Sequence, residues 1–188
     1  YQIEELSQEF KVITFDIRGH GKSQYSSLPV TYPLIVEDIK HLLSHLKIKK
    51  AFICGYSTGG SIVLKYLLHS ADWALGGIII SGMSEVSDEH LKKRISLGMS
   101  LANKGAVPVL ALSISFTNAN TQELFMEMFK EAKKRDSRNI EQYYRYSLDY
   151  NCTNQLEKIE LPILLVYGKE DNPFQYYATL LHEILPCR

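Results

Sequence analysis

A tight glycine turn between a buried strand and a buried helix is the feature that most restricts this chain. Ala51 to Cys54 reads as an apolar strand broken at Gly55. Ile62, Val63, Tyr66 and Leu67 then fall on one side of a helix that begins almost at once. A strand that feeds a helix after so short a turn is half of a β-α-β unit, and such units need a parallel sheet covered by helices. The turn itself is Gly55-Tyr56-Ser57-Thr58-Gly59, which matches Gly-x-Ser-x-Gly. In that context the motif is a nucleophile elbow, a strained bend that lifts a serine hydroxyl clear of the sheet. Close backbone approach on either side accounts for Gly55 and Gly59, and Gly60 extends the small-residue patch where the helix packs back on its strand. A serine hydroxyl becomes a useful nucleophile once a base takes its proton. The Thr58 amide, at the start of the helix, is placed to donate to a developing oxyanion. A five-residue pattern also arises by chance, so the strand–turn–helix setting carries the assignment of Ser57.

The rest of the chain supplies the alternation that such a sheet needs. Lys11 to Phe15 is a short β-rich run ending at Asp16, followed by a turn with Gly19 and Gly21. Thr31 caps a helix with Pro33 in its first turn, and Ile35, Ile39, Leu42, Leu43 and Leu46 share one face. Gly77 to Ile80 is a further buried strand, closed by Ser81 and Gly82. From Met83 to Tyr150 the rhythm changes to helices alone. One spans about Asp88 to Asn103, and an apolar one Val107 to Phe116. A third starts at Asn120, with Glu123 completing a capping box, and a fourth holds Tyr143, Tyr144, Tyr146 and Leu148. Alternation resumes with the strand Ile163 to Tyr167 and the helix Tyr176 to Leu185, halted by Pro186. The expected organisation is a core in residues 1–82 and 151–188, with a helical lid in 83–150.

Composition removes several function classes. The 188 residues are 45% hydrophobic and 22% charged, and 21 basic against 21 acidic side chains give no net charge. No long-range field gathers nucleic acid or anionic lipid. The cluster Lys47, Lys49 and Lys50 falls at a helix end, where cations complement the dipole. The longest apolar run, Val107 to Phe116, contains Pro108, Ser113 and Ser115 and falls short of the ~20 residues of a membrane span. Cys54, Cys152 and Cys187 are scattered without metal-ligand or disulfide spacing, so a reducing cytoplasm is expected. No metal-ligand set or phosphate loop stands out, and no cofactor is implied.

Three ordered blocks resemble the α/β-hydrolase superfamily, in particular its small, lid-bearing bacterial serine hydrolases. They are Phe15-Asp16-Ile17-Arg18-Gly19-His20-Gly21-Lys22-Ser23, the elbow Gly55 to Gly60, and Val166-Tyr167-Gly168-Lys169-Glu170-Asp171. The resemblance implies that these follow the family's fourth, fifth and seventh strands. By it, Asp171 is the acid of a Ser–Asp–His triad, with Glu170 and Glu85 as weaker alternatives. Asp16 and Arg18 brace their turn with a charge-assisted hydrogen bond, and His20 is a solvated or loop-bracing imidazole. The family's histidine follows an eighth strand, and only 17 residues follow Asp171 here. His182 lies mid-helix, so the base is expected outside these residues, as are the first three strands. The family's third strand separates its fourth and fifth, so Lys11–Phe15 is left without a neighbour. The implied activity is hydrolysis of a carboxylic ester, and thioesters, lactones and carbon–carbon bonds share its machinery. Ser57, in place of an elbow aspartate, argues against epoxide or haloalkane chemistry. A ligand sensor of the same fold, acting through a partner protein, is the alternative. Met99, Leu110, Leu112, Phe116, Phe125, Met128, Phe129, Tyr143 and Tyr146 in the lid point to a small, uncharged, hydrophobic acyl substrate.

Overall fold

The computed structural model describes residues 2–132 and 136–186. Its centre is a three-stranded parallel sheet in the order β1 (Ala51–Tyr56), β2 (Ala74–Ile80), β3 (Ile163–Val166). Parallel neighbours need a crossover, and α3 (Thr58–His69) joins β1 to β2. The β2-to-β3 connection carries α4 (Glu89–Asn103), α5 (Val107–Asn118), α6 (Gln122–Ala132) and α7 (Ser137–Asp149). Two further helices precede β1, α1 (Gln2–Leu6) and α2 (Tyr32–His45), and α8 (Asn172–Ile184) follows β3.

The strand period of two divides the sheet sharply. Register pairs Phe52 with Gly76, Cys54 with Ile78 and Ile78 with Leu164, so these residues share one face. That face is open, with Phe52 56% and Leu164 57% exposed. The opposite face holds Ile53, Ile79 and Leu165 against the core, which buries Ile35, Ile39, Val63, Tyr66, Leu67, Leu156 and Leu181. α2 begins as its sequence dictates: Thr31 Oγ1 accepts from Leu34 N, and Pro33 occupies the first turn.

Several boundaries differ from those read in the sequence. Lys11–Phe15 forms no strand, because no strand among the described residues lies beside it to take up its amides and carbonyls. β2 starts three residues earlier than its apolar run, since Ala74 and the two glycines pair as readily as the isoleucines. α8 starts at Asn172, four residues before Tyr176, with Pro173 in its first turn. The capping box at Asn120 does not form. Thr121 caps α6 instead, accepting from Leu124 N at 3.2 Å. The connection from β2 to β3 carries the helices α4 to α7, and α7 is tied to the core as well as to its neighbours. The fully buried Asn139 side chain accepts from Ser26 N at 2.8 Å and donates to Ser26 O at 3.0 Å. Tyr32 donates to Ser147 Oγ at 2.8 Å. Cys54 and Cys152 are free thiols, and Cys187 lies outside the described residues. No helix among the described residues is long and apolar enough to cross a membrane.

Candidate active site

β1 ends where α3 begins, and the whole change of direction falls on Ser57. Its backbone sits at φ 54, ψ −122, in the left-handed half of the map that L residues avoid. Holding a side chain there costs on the order of 1–3 kcal/mol and persists only where the surroundings enforce it. The enforcing contacts are visible. Ser57 N donates to Ile80 O at 2.9 Å, tying the bend to the end of β2, and Gly60 N donates to Ser57 O at 2.9 Å. The Ser57 amide is committed to Ile80, which leaves the Thr58 N–H among the donors at the helix N-terminus.

The glycines around the bend divide into two kinds. A Cβ on Gly55 would stand 2.2 Å from Gly59 O, so Gly55 is compelled by close approach of backbone to backbone. Gly60 is compelled likewise, with Gly82 Cα 2.8 Å from where its Cβ would be. Gly59 corrects the sequence reading: nothing lies within 4 Å of a Cβ placed there, so steric crowding does not explain it. Tyr56, at the end of β1, is 60% exposed and donates to Asn118 Oδ1 at 3.5 Å.

Asp171 stands at the matching end of β3, at the N-terminus of α8, without capping that helix through its side chain. Its Oδ2 accepts from Ser81 Oγ at 3.0 Å, and Ser81 is the residue after β2, also at positive φ. Ser57, Ser81 and Asp171 therefore follow the carboxyl ends of three adjacent strands, where ligands of open α/β sheets bind. The β2 end is locked in place. Ser61 donates to Met83 O at 2.7 Å, and Tyr167 donates to Gly82 O at 2.7 Å, its phenol pushed up by burial and so kept protonated.

Ser57, Thr58 and Asp171 line one cavity of about 830 Å³ between the sheet ends and α4, α5 and α7. The two weaker acid candidates are absent from its walls. Glu85 is occupied elsewhere, accepting from Asn151 Nδ2 and Thr153 Oγ1, and Glu170 is exposed on its loop. His182 borders a separate apolar cavity with Ile163 and Leu165. Among the described histidines only His20 reaches the Ser57 cavity. It is buried, edge-on to Tyr143, and its Nδ1 lies 3.0 Å from Arg18 O, which fixes the proton on Nδ1 because a carbonyl can only accept. Arg18 does not brace Asp16. It forms a two-point pair with Asp38 on α2, with Nε to Oδ2 at 2.7 Å, while Asp16 accepts from Lys22 N at 2.9 Å. Arg18 and Asp38 are 20 residues apart in the chain, and sequence spacing gives no hint of that choice.

Of the lid residues expected to shape the pocket, Leu110 and Tyr143 line it. Leu112 and Phe116 point away, at 49% and 78% exposure, and Phe125 stacks on Phe129 instead. Sequence reasoning missed two features. Tyr143 Oη and Thr58 Oγ1 are hydrogen-bonded at 2.8 Å, so helix α7 is fastened to the residue after Ser57. Arg94, exposed on α4, also lines the cavity, and its spacing to Leu91 and Leu101 made that legible.

The sheet, its crossover helix and a serine on a strained strand-to-helix bend define an α/β-hydrolase. The family described as serine aminopeptidase, S33, matches residues 4–181, and the chain belongs to it. It is 22% identical over 176 residues to the 3-oxoadipate enol-lactonase 2 of Acinetobacter baylyi, covering 90% of this chain and 65% of that protein. It is 43% identical over 80 residues to the sn-1-specific diacylglycerol lipase ABHD11 of Danio rerio, covering 43% of this chain and 25% of that one. The enol-lactonase from Burkholderia xenovorans LB400 superposes with a TM-score of 0.84 at 19% identity, covering 98% of this chain and 72% of that structure. The chain thus spans less than two thirds of the length of the curated relatives named here.

Proposed function

We propose that this protein is a serine hydrolase that cleaves a carboxylic ester or related acyl bond through an acyl-enzyme. The observation that carries the reading is the backbone of Ser57, bent to φ 54 in the lining of a cavity that Asp171 also lines. A strained non-glycine residue at a strand end is retained for what its side chain does. Ser57 Oγ attacks the acyl carbonyl while a histidine takes its proton. The Asp171 carboxylate, held by Ser81, orients that histidine and stabilises the imidazolium. The Thr58 N–H donates to the oxyanion. The histidine returns the proton to the leaving alcohol, and water then releases the acid by the same steps in reverse. This chemistry uses no cofactor. Helices α4 to α7 act as the lid, and the apolar lining of Leu91, Ile95, Leu101, Leu110 and Phe174 suits a small acyl substrate with a hydrophobic body. Two unpaired thiols favour a cytoplasmic setting.

The test is turnover of p-nitrophenyl esters by the whole protein and by its Ser57→Ala and Asp171→Asn variants. Loss of the serine in such a triad costs on the order of 10⁶ in kcat. An Ser57→Ala variant that keeps wild-type turnover overturns the proposal.

A further inference from the structure

We infer that Arg94 binds a carboxylate at the far end of the acyl substrate, so that the preferred substrates are esters or lactones of acids carrying a second, free carboxylate. This inference rests on the serine hydrolase reading and adds to it the charge of the substrate.

The argument starts from the face that α4 turns to the cavity. Leu91, Arg94, Leu97 and Leu101 recur at helical spacing, and all four line the space above Ser57. Three consecutive cations, Lys92, Lys93 and Arg94, lie on this helix, and Arg94 is the one that reaches the cavity. Lys92 faces outward and pairs with Glu89 at 3.7 Å. Arg94 has no hydrogen-bond or ion-pair partner among the described residues. The two acidic residues that share its cavity are engaged elsewhere, Asp171 with Ser81 and Asp16 with the Lys22 amide. An exposed residue that lines a cavity stands at its mouth, where the guanidinium is partly hydrated in the free protein and still commands the entrance.

A cavity with apolar stretches of wall, a nucleophile at its floor and one unpaired guanidinium at its mouth has two ends of different chemistry. The floor takes the reacting carbonyl, the walls take methylene groups, and the mouth takes an anion. Arginine suits this task better than lysine, because its planar fork meets a carboxylate at two points. A neutral fatty acyl chain would leave that end unmatched.

The experiment compares mono-p-nitrophenyl esters of succinate, glutarate and adipate with neutral p-nitrophenyl esters of equal chain length, in the whole protein. The quantity read is the ratio of kcat/KM for the carboxylate-bearing ester to that for its neutral counterpart. A charge-assisted hydrogen bond corresponds to a preference of about 10- to 100-fold. The wild type is expected to show such a preference for at least one chain length, carried mainly by KM. Arg94→Gln is expected to remove it, and Arg94→Lys to restore part of it. Free glutarate or adipate should also slow wild-type turnover of the neutral ester, a readout that needs no variant. A ratio that is the same in wild type and Arg94→Gln, while Ser57→Ala abolishes turnover of both esters, overturns the assignment and leaves the nucleophile standing. Turnover that survives in Ser57→Ala overturns the nucleophile and this inference with it.

Discussion

Replacing Gly55 by alanine should damage the elbow, and replacing Gly59 should not. The added Cβ at residue 55 would lie 2.2 Å from Gly59 O, 2.4 Å from Gly59 C and 2.8 Å from Gly60 N. All three are backbone atoms, and relief requires the start of α3 to retreat by about 1 Å toward ordinary contact. It has nowhere to go. Gly60 already abuts Gly82, whose Cα is 2.8 Å from a Cβ built on Gly60, and Ser57 N is fastened to Ile80 O. Overpacking of this kind costs on the order of 3 kcal/mol. For a chain of this size that lowers Tm by roughly 6–12 °C. A displacement of about 1 Å at the nucleophile should also cost on the order of 100-fold in kcat. At residue 59 an alanine meets open space within helix α3, where it is favoured over glycine by up to ~1 kcal/mol, so Tm should hold or rise. Differential scanning fluorimetry of the two variants beside the wild type, with ester turnover measured in parallel, decides the matter. Equal melting temperatures and equal turnover for Gly55→Ala and wild type would refute the account of the bend.

Ser57→Gly relieves a left-handed φ and should raise stability by about 1 kcal/mol in urea unfolding while abolishing turnover, the signature of strain held for function. Asn139→Ala leaves the buried Ser26 N–H and C=O without their partner and should cost about 3 kcal/mol, lowering Tm by several degrees in the same fluorimetry assay. Burial pushes the Cys152 thiol from 9.0 up to about 11, so the unfolded chain loses this proton first. The stabilisation it reports is complete below pH 9 and is lost as pH rises through about 11, up to ~3 kcal/mol in all. Urea unfolding at stepped pH should show the decline, and Cys152→Ala should make it shallower, with the buried phenols of Tyr66, Tyr150 and Tyr167, also raised by desolvation, carrying the rest at higher pH.

Much of this architecture was legible because its determinants are local. The apolar stripe of α2, the Thr31 cap and the Gly-x-Ser-x-Gly bend each announce themselves within a few residues, and each appears where its chemistry puts it. Asp171 was legible as a residue following a buried strand, and the structure brings it to the cavity of Ser57. What escaped depends on chain segments meeting from afar. Lys11–Phe15 has strand composition, but a strand is a pair property and none of the described residues offers it a neighbouring strand. Arg18 chose Asp38 over Asp16, and Tyr143 found Thr58, through packing that no spacing rule encodes. Gly59 shows the opposite error, since a motif glycine was given a steric reason that the space around it does not support.

The most direct measurement of the central claim is a covalent one. Treated with a fluorophosphonate, the whole protein should gain one phosphonyl group, and peptide mapping by mass spectrometry should place it on Ser57. Ser57→Ala should take up none. A label on another residue, or undiminished labelling of the Ser57→Ala variant, would contradict the account.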